Sequence, residues 1–189
     1  MSRHFTPPIF SRSISNALAL VALAIACGAC TPTFDWRAVT NDAAGFAVSL
    51  PAKPTLDERT IQIAGHALTM TMQAAKTNDV VFAVGVVTLP GEDPALQAAV
   101  LKFLEDGLAR NVSSVPVTEP VQIRLSDPEQ RIAGVAMNAD GTVAGNKTRR
   151  VVHARFAVRG RHVYQAVVVA EKEPAAEQID QFFDSLRLY

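Results

Sequence analysis

Two apolar rhythms alternate along the chain, and the switches between them restrict the fold more than any other feature. In "GFAVSLPAKP", residues 45 to 54, Phe46, Val48 and Leu50 alternate with small or polar neighbours until Pro51 ends the run. "RTIQIAGHALTMTMQAAKTNDVVFAVGVVTL" reads as three strands. Ile61 and Ile63 alternate before an Ala64-Gly65-His66 turn, and Leu68, Met70 and Met72 alternate after it. "TND" marks a second turn. The near-continuous run from Val80 to Leu89 predicts a central strand covered on both faces. At Asp93 the period becomes helical: Leu96, Val100, Phe103, Leu104 and Leu108 fall on one stripe. Asp93 suits the N-cap, Pro94 the first helical position, and Arg110-Asn111 the C-terminus.

Strand character resumes in "VQIRL", "QRIAGVAMNADGTVAG", "RRVVHARFAVRG" and "RHVYQAVVVAEK", with a tight hairpin at Arg159-Gly160 between the last two. Pro174 opens a final helix whose Ile179, Phe182, Phe183 and Leu186 form a second stripe, with Ser185 as a surface hydroxyl. Hairpin-linked strands make an antiparallel sheet, and two amphipathic helices must bury their stripes against it. The expected class is therefore α+β, an antiparallel sheet with two packed helices.

The N-terminus follows a different logic. "MSRHFTPPIFSRS" carries Arg3 and Arg12 without an acid, and ten successive aliphatic residues then run from Ala17 to Ala26. A membrane span needs roughly 20 apolar residues, so this shorter run reads as a secretory signal. The run ends at Cys27, with Cys30 close behind, and no other cysteine follows. "LAIAC", residues 23 to 27, resembles the lipobox of bacterial lipoproteins, with "CGAC" at Cys30 as the alternative. The resemblance implies a diacylglyceryl group on the cysteine, cleavage just before it, and palmitate-type acylation of the new N-terminus. It departs from the favoured pattern in placing leucine one position early, at Leu23. Ordinary cleavage would instead leave a soluble secreted protein, and a CxxC redox or metal pair would lack the neighbouring elements such pairs use. Gly28 and Ala29 follow Cys27, which in Gram-negative lipoproteins resembles outer-membrane sorting. The expected organisation is a signal at 1–26, a lipid-anchored tether and first strand at 27–44, and one α+β domain at 45–189.

Of 18 basic residues, Arg3 and Arg12 leave with the signal, so 16 face 18 acidic residues in the mature chain. Such a balance exerts no global pull toward nucleic acid or anionic lipid. "GFAVSLPAKP", the hairpin-rich middle and the closing "FFDSLRL" look like the PsbP-like fold and small bacterial lipoproteins of that layout, over roughly residues 45 to 189. That resemblance implies an accessory or assembly role on a membrane complex rather than catalysis.

Candidate chemistry is sparse. The chain has no Gly-x-Ser-x-Gly and no phosphate loop, so neither an enzyme nor a cofactor is expected. With a turn at Arg159-Gly160, His153 and His162 would share a sheet face four residues apart. At roughly 13 Å they are too distant to share a metal ion. His66 reads as an exposed turn residue. "KTRRVVHARFAVRGRHVYQ" holds Lys147, Arg149, Arg150, Arg155, Arg159 and Arg161 without an acid, and the same register places Arg155 opposite Tyr164. Arg150, Arg155, Arg159, Arg161 and Tyr164 are thus candidates for binding an anionic ligand or an envelope partner; the plainer reading is a solubilised edge hairpin. The leading functional expectation is a non-catalytic, lipid-anchored envelope module. The alternatives are a small-ligand carrier, with a helix–sheet pocket lined by Met70, Met72, Phe82 and Phe103, and a hydrolase without a recognisable motif.

Overall fold

The computed structural model describes residues 34–143 and 148–189, so the leader, Cys27, Cys30 and Lys147 lie outside the described residues. Phe34–Tyr189 forms one compact unit. Its strands are β1 (Arg37–Asn41), β2 (Phe46–Leu50), β3 (Thr55–Ile63), β4 (His66–Thr77) and β5 (Val80–Thr88), followed by β6 (Val117–Arg124), β7 (Arg131–Thr142), β8 (Arg149–Arg159), β9 (His162–Ala170) and β10 (Arg187–Leu188). Helix α1 (Pro94–Val112) separates β5 from β6, and α2 (Ala176–Ser185) separates β9 from β10. The class is mixed α+β: a seven-stranded sheet in the order β3-β4-β5-β9-β8-β7-β6, and a three-stranded sheet in the order β1-β2-β10. All strand pairings within both sheets are antiparallel.

Turn chemistry sets the long hairpins. Ala64 and Gly65 both take left-handed φ, 49° and 80°, as a type I′ hairpin turn requires. The β8–β9 turn is Gly160-Arg161 rather than Arg159-Gly160, because Arg159 pairs with His162. Only Gly160, at φ 55°, has positive φ here, and the first central position of a type II′ turn demands it. The ladder therefore moves by two residues: Arg155 faces Ala166, and Tyr164 faces Ala157. A two-residue slip preserves sidedness, so the expected sharing of a face survives while the expected neighbours do not.

Two apolar cores lie on opposite faces of the large sheet. On one face α1 covers Leu68, Met70, Val87, Val163 and Phe156 with Leu96, Val100 and Leu104. Asp93 caps this helix, its Oδ1 accepting from the Ala95 and Leu96 amides at 2.9 and 3.4 Å. The helix runs on to Val112, past Arg110-Asn111, and ends where Ser113 turns left-handed. On the other face Phe82, Val84, Ala166 and Val168 meet Phe182 and Phe183 of α2 together with Phe46, Val48 and Leu50 of the small sheet. As the sequence suggests, β5 is central and buried on both faces.

The small sheet joins the two ends of the folded unit. β10 pairs Leu188 with Phe46 and Arg187 with Ala47. Ser185 is not a free surface hydroxyl: its Oγ accepts from the Ser49 amide at 2.8 Å and donates to the Phe182 carbonyl. Among the described residues no helix is long and apolar enough to cross a membrane.

Candidate functional site

The arginines of β8 and β9 do not form one patch. Arg149 binds Asp140, and Arg150 binds Glu171 at 2.8 Å, both at the far end of the hairpin. Arg155 is half-buried at mid-strand, its guanidinium carbon 4.5 Å above the Phe183 ring, where it pins α2 to the sheet. Burial pushes its pKa below the usual arginine value, against the opposing pull of Asp184 and Asp180. Arg159 and Arg161 sit at the hairpin tip. Tyr164 is only 2% exposed, and its hydroxyl donates to the Gly45 carbonyl at 3.3 Å, so it has no face to offer a ligand. It is a core residue.

The histidines are equally dispersed. His153 pairs with Val168 and thus stands six ladder positions from His162, further than the four of the expected register. Its ring nitrogens contact Asn138 Oδ1 at 2.8 Å and Glu173 Oε1 at 2.9 Å, which ties the loop after β9 to β8 and β7. Glu171 and Glu173 are therefore partners of Arg150 and His153 rather than free solvated acids. His162 packs edge-on to Tyr164, with its pKa lowered by burial and then by Arg161. His66 is exposed at the start of β4. Among the described residues no three His, Cys, Asp or Glu side chains come together as metal ligands would.

Two clefts remain. At the tip end of the large sheet, an open trough of about 660 Å³ is floored by Thr69, Thr71 and Thr88, with Glu58 and Arg161 on its sides and Asn41 in its wall. Its origin is legible in "ALTMTMQ": Leu68, Met70 and Met72 face α1, so the intervening Thr69, Thr71 and Gln73 face away from it. Asn41 bridges to Gln73 at 3.4 Å, which ties the β1–β2 turn to this face. The trough offers hydroxyls, the His66 imidazole, one carboxylate and one guanidinium beside apolar surface from Leu68, Leu89 and Pro90. It suits a polar partner.

The second cleft, of about 270 Å³, lies between α1 and the sheet. Met70, Met72 and Phe103 line it, as expected of a helix–sheet pocket, but Phe82 does not: it faces the opposite core, 5.5 Å from Phe182. Phe103 is 39% exposed at the rim, because helical phase places it at the edge of the α1 stripe. The cleft also holds Gln165, which no motif indicated. Its signal is plain in retrospect: one amide in the apolar run "VYQAVVVA", opposite the glycine of "FAVGVV". The chain matches no family model, and none of the curated proteins matches its sequence.

Proposed function

We propose that the protein is a non-catalytic binding module of the cell envelope, anchored by lipid at Cys27, or at Cys30, on the periplasmic face of the outer membrane. The observation that carries this reading is the spacing between the lipobox-like "LAIAC" and the folded unit that starts at Phe34. Only residues 28–33 intervene, a reach of roughly 25 Å even when fully extended. A module on so short a tether works against its own membrane or on a complex embedded in it. The threonine-floored trough supports the binding role, offering Arg161 and Glu58 to a polar segment of an envelope partner. No cofactor and no nucleic acid enter this reading.

We also propose the PsbP-like architecture. Supporting it, the two terminal segments that carry the resemblance, "GFAVSLPAKP" and "FFDSLRL", lie side by side as β2, α2 and β10, joined by the Ser49–Ser185 and Phe46–Leu188 pairings. A second reading, a small-ligand carrier, is favoured by the buried Gln165 amide in the helix–sheet cleft.

Native mass spectrometry of the protein extracted from envelopes in mild detergent tests the anchor. The expected mass is that of residues 27–189 plus acyl chains, with any retained partner lost on Arg161→Glu. A mass fitting 30–189 plus acyl chains would assign the anchor to Cys30. An unacylated chain would sink the lipid-anchored reading.

A further inference from the structure

We propose that the cleft between α1 and the large sheet binds a small apolar carboxylate that carries an amide: the carboxylate at Arg59, the amide at Gln165, the hydrocarbon against Met70, Met72 and Leu104. This inference rests on the carrier reading and names its ligand class.

The cleft is opened by a missing side chain on α1, at Gly107, while the space at Gly85 on the sheet is filled by methionine methyls. Across the sheet, Met72, Gly85 and Gln165 lie in one row facing α1. Gly85 leaves a dip in that row, and the Met70 methyl leans over it, 3.0 Å from where a Cβ would stand. Above the sheet α1 contributes Gly107, around which nothing lies within 4 Å of a Cβ position. Glycine in a helix interior costs roughly 1 kcal/mol relative to alanine, and glycine within a strand often marks close approach of a ligand or another backbone. The hollow is small, just below the roughly 300 Å³ at which sites for drug-sized ligands begin.

Its polar groups are unspent. Gln165 is 5% exposed, lines the cleft, and has no side-chain hydrogen bond among the described residues. Among the described residues the one fully buried side-chain polar atom without a partner is Thr77 Oγ1, so the Gln165 amide opens into the cleft, where a ligand group can meet both its N–H and its C=O. A ligand amide does so with two hydrogen bonds. At the mouth, Arg59 on the edge strand β3 reaches over Met70, its Nη2 3.6 Å from the sulfur, and forms no ion pair among the described residues. A guanidinium over an apolar wall favours a carboxylate. The thioethers between the two polar ends adapt to the shape of the hydrocarbon.

The test is NMR titration of the full chain, labelled with 13C at the methionine methyls, with N-acetylleucine as probe. The expected result is saturable shifts at Met70 and Met72 with Met137 unmoved. Arg59→Gln should weaken binding about tenfold or more. Gly107→Leu, whose Cβ would have no neighbour within 4 Å, should fill the hollow with the rest of its side chain and abolish the shifts. Gln165→Leu should also abolish binding without lowering the urea midpoint, a separation that a purely structural glutamine would not show. If the neutral N-acetylleucinamide binds equally well and Arg59→Gln changes nothing, the carboxylate assignment falls and the carrier reading stands. If neither probe moves Met70 and Met72, both fall. Shifts that persist in Gly107→Leu would place the site elsewhere and overturn the proposal.

Discussion

Tyr164 shows how completely a side chain's surroundings decide its role. The residue looks like half of a cation–aromatic pair on an open hairpin; in the fold its ring lies in the core and its hydroxyl reaches Gly45. Gly45 has φ 67°, and a Cβ there would stand 2.7 Å from the Tyr189 carbonyl, so only glycine lets the two chain ends close over this tyrosine. Burial raises the Tyr164 pKa to about 12, with Arg159 opposing and Tyr189 reinforcing the shift. An unfolded tyrosine ionises near pH 10, so between pH 10 and about 12 the unfolded chain binds fewer protons and stability falls as pH rises. The slope expected from this one group is at most about 1.4 kcal/mol per pH unit. Urea unfolding of the wild type and Tyr164→Phe across that window checks it. The variant should lose about 1 kcal/mol at neutral pH, through the lost hydrogen bond, and show the shallower alkaline slope. Parallel slopes would refute the burial argument. Tyr189, itself raised by burial and by Asp42, titrates in both proteins, so its own contribution cancels and its coupling to Tyr164 counts with the Tyr164 effect.

Among the elements, α1 was the most legible, because its signals are local. Asp93, Pro94 and the Leu96-Val100-Leu104 stripe lie within a few residues of one another, and helix geometry alone relates them. Asp93→Ala removes the acceptor for two amide donors and should cost about 1 kcal/mol, read as a lower midpoint in thermal or urea unfolding. An unchanged midpoint would mean that water serves the helix end equally well. The β8–β9 hairpin was half legible. The expected pairing put His153, Arg155, His162 and Tyr164 on one face, where they are, but the register depended on which side of Gly160 the turn falls, and alternation is blind to a slip of two. Arg155 thereby moved from Tyr164 to Phe183, and a supposed ligand contact became the contact that holds α2 in place.

At the scale of the whole molecule, stability depends on the closure of the small sheet by both ends of the folded unit. Leu188, fully buried immediately before the last residue, Tyr189, pairs with Phe46. Trp36, the single tryptophan, packs 5.7 Å from Phe82 and reports on the same region. Leu188→Ala should cost about 2–5 kcal/mol, and tryptophan fluorescence should shift together with far-ultraviolet circular dichroism. Fluorescence melting ahead of the dichroism would instead make the small sheet a separate unfolding unit. Composition and periodicity by themselves determined the α+β class, the identities of most strands and both helices, and the sidedness of the hairpins, because each follows from neighbours in the chain. Only the tertiary structure decided the second sheet, the ladder register, the burial of Tyr164 and the cleft around Gln165. Those depend on residues far apart in sequence: Phe46 with Leu188, Ser49 with Ser185, and Gln165 on the sheet with Gly107 on the helix, which line one cleft. A local pattern states which way a side chain points, while what it meets there is settled by the packing of elements that the pattern does not relate.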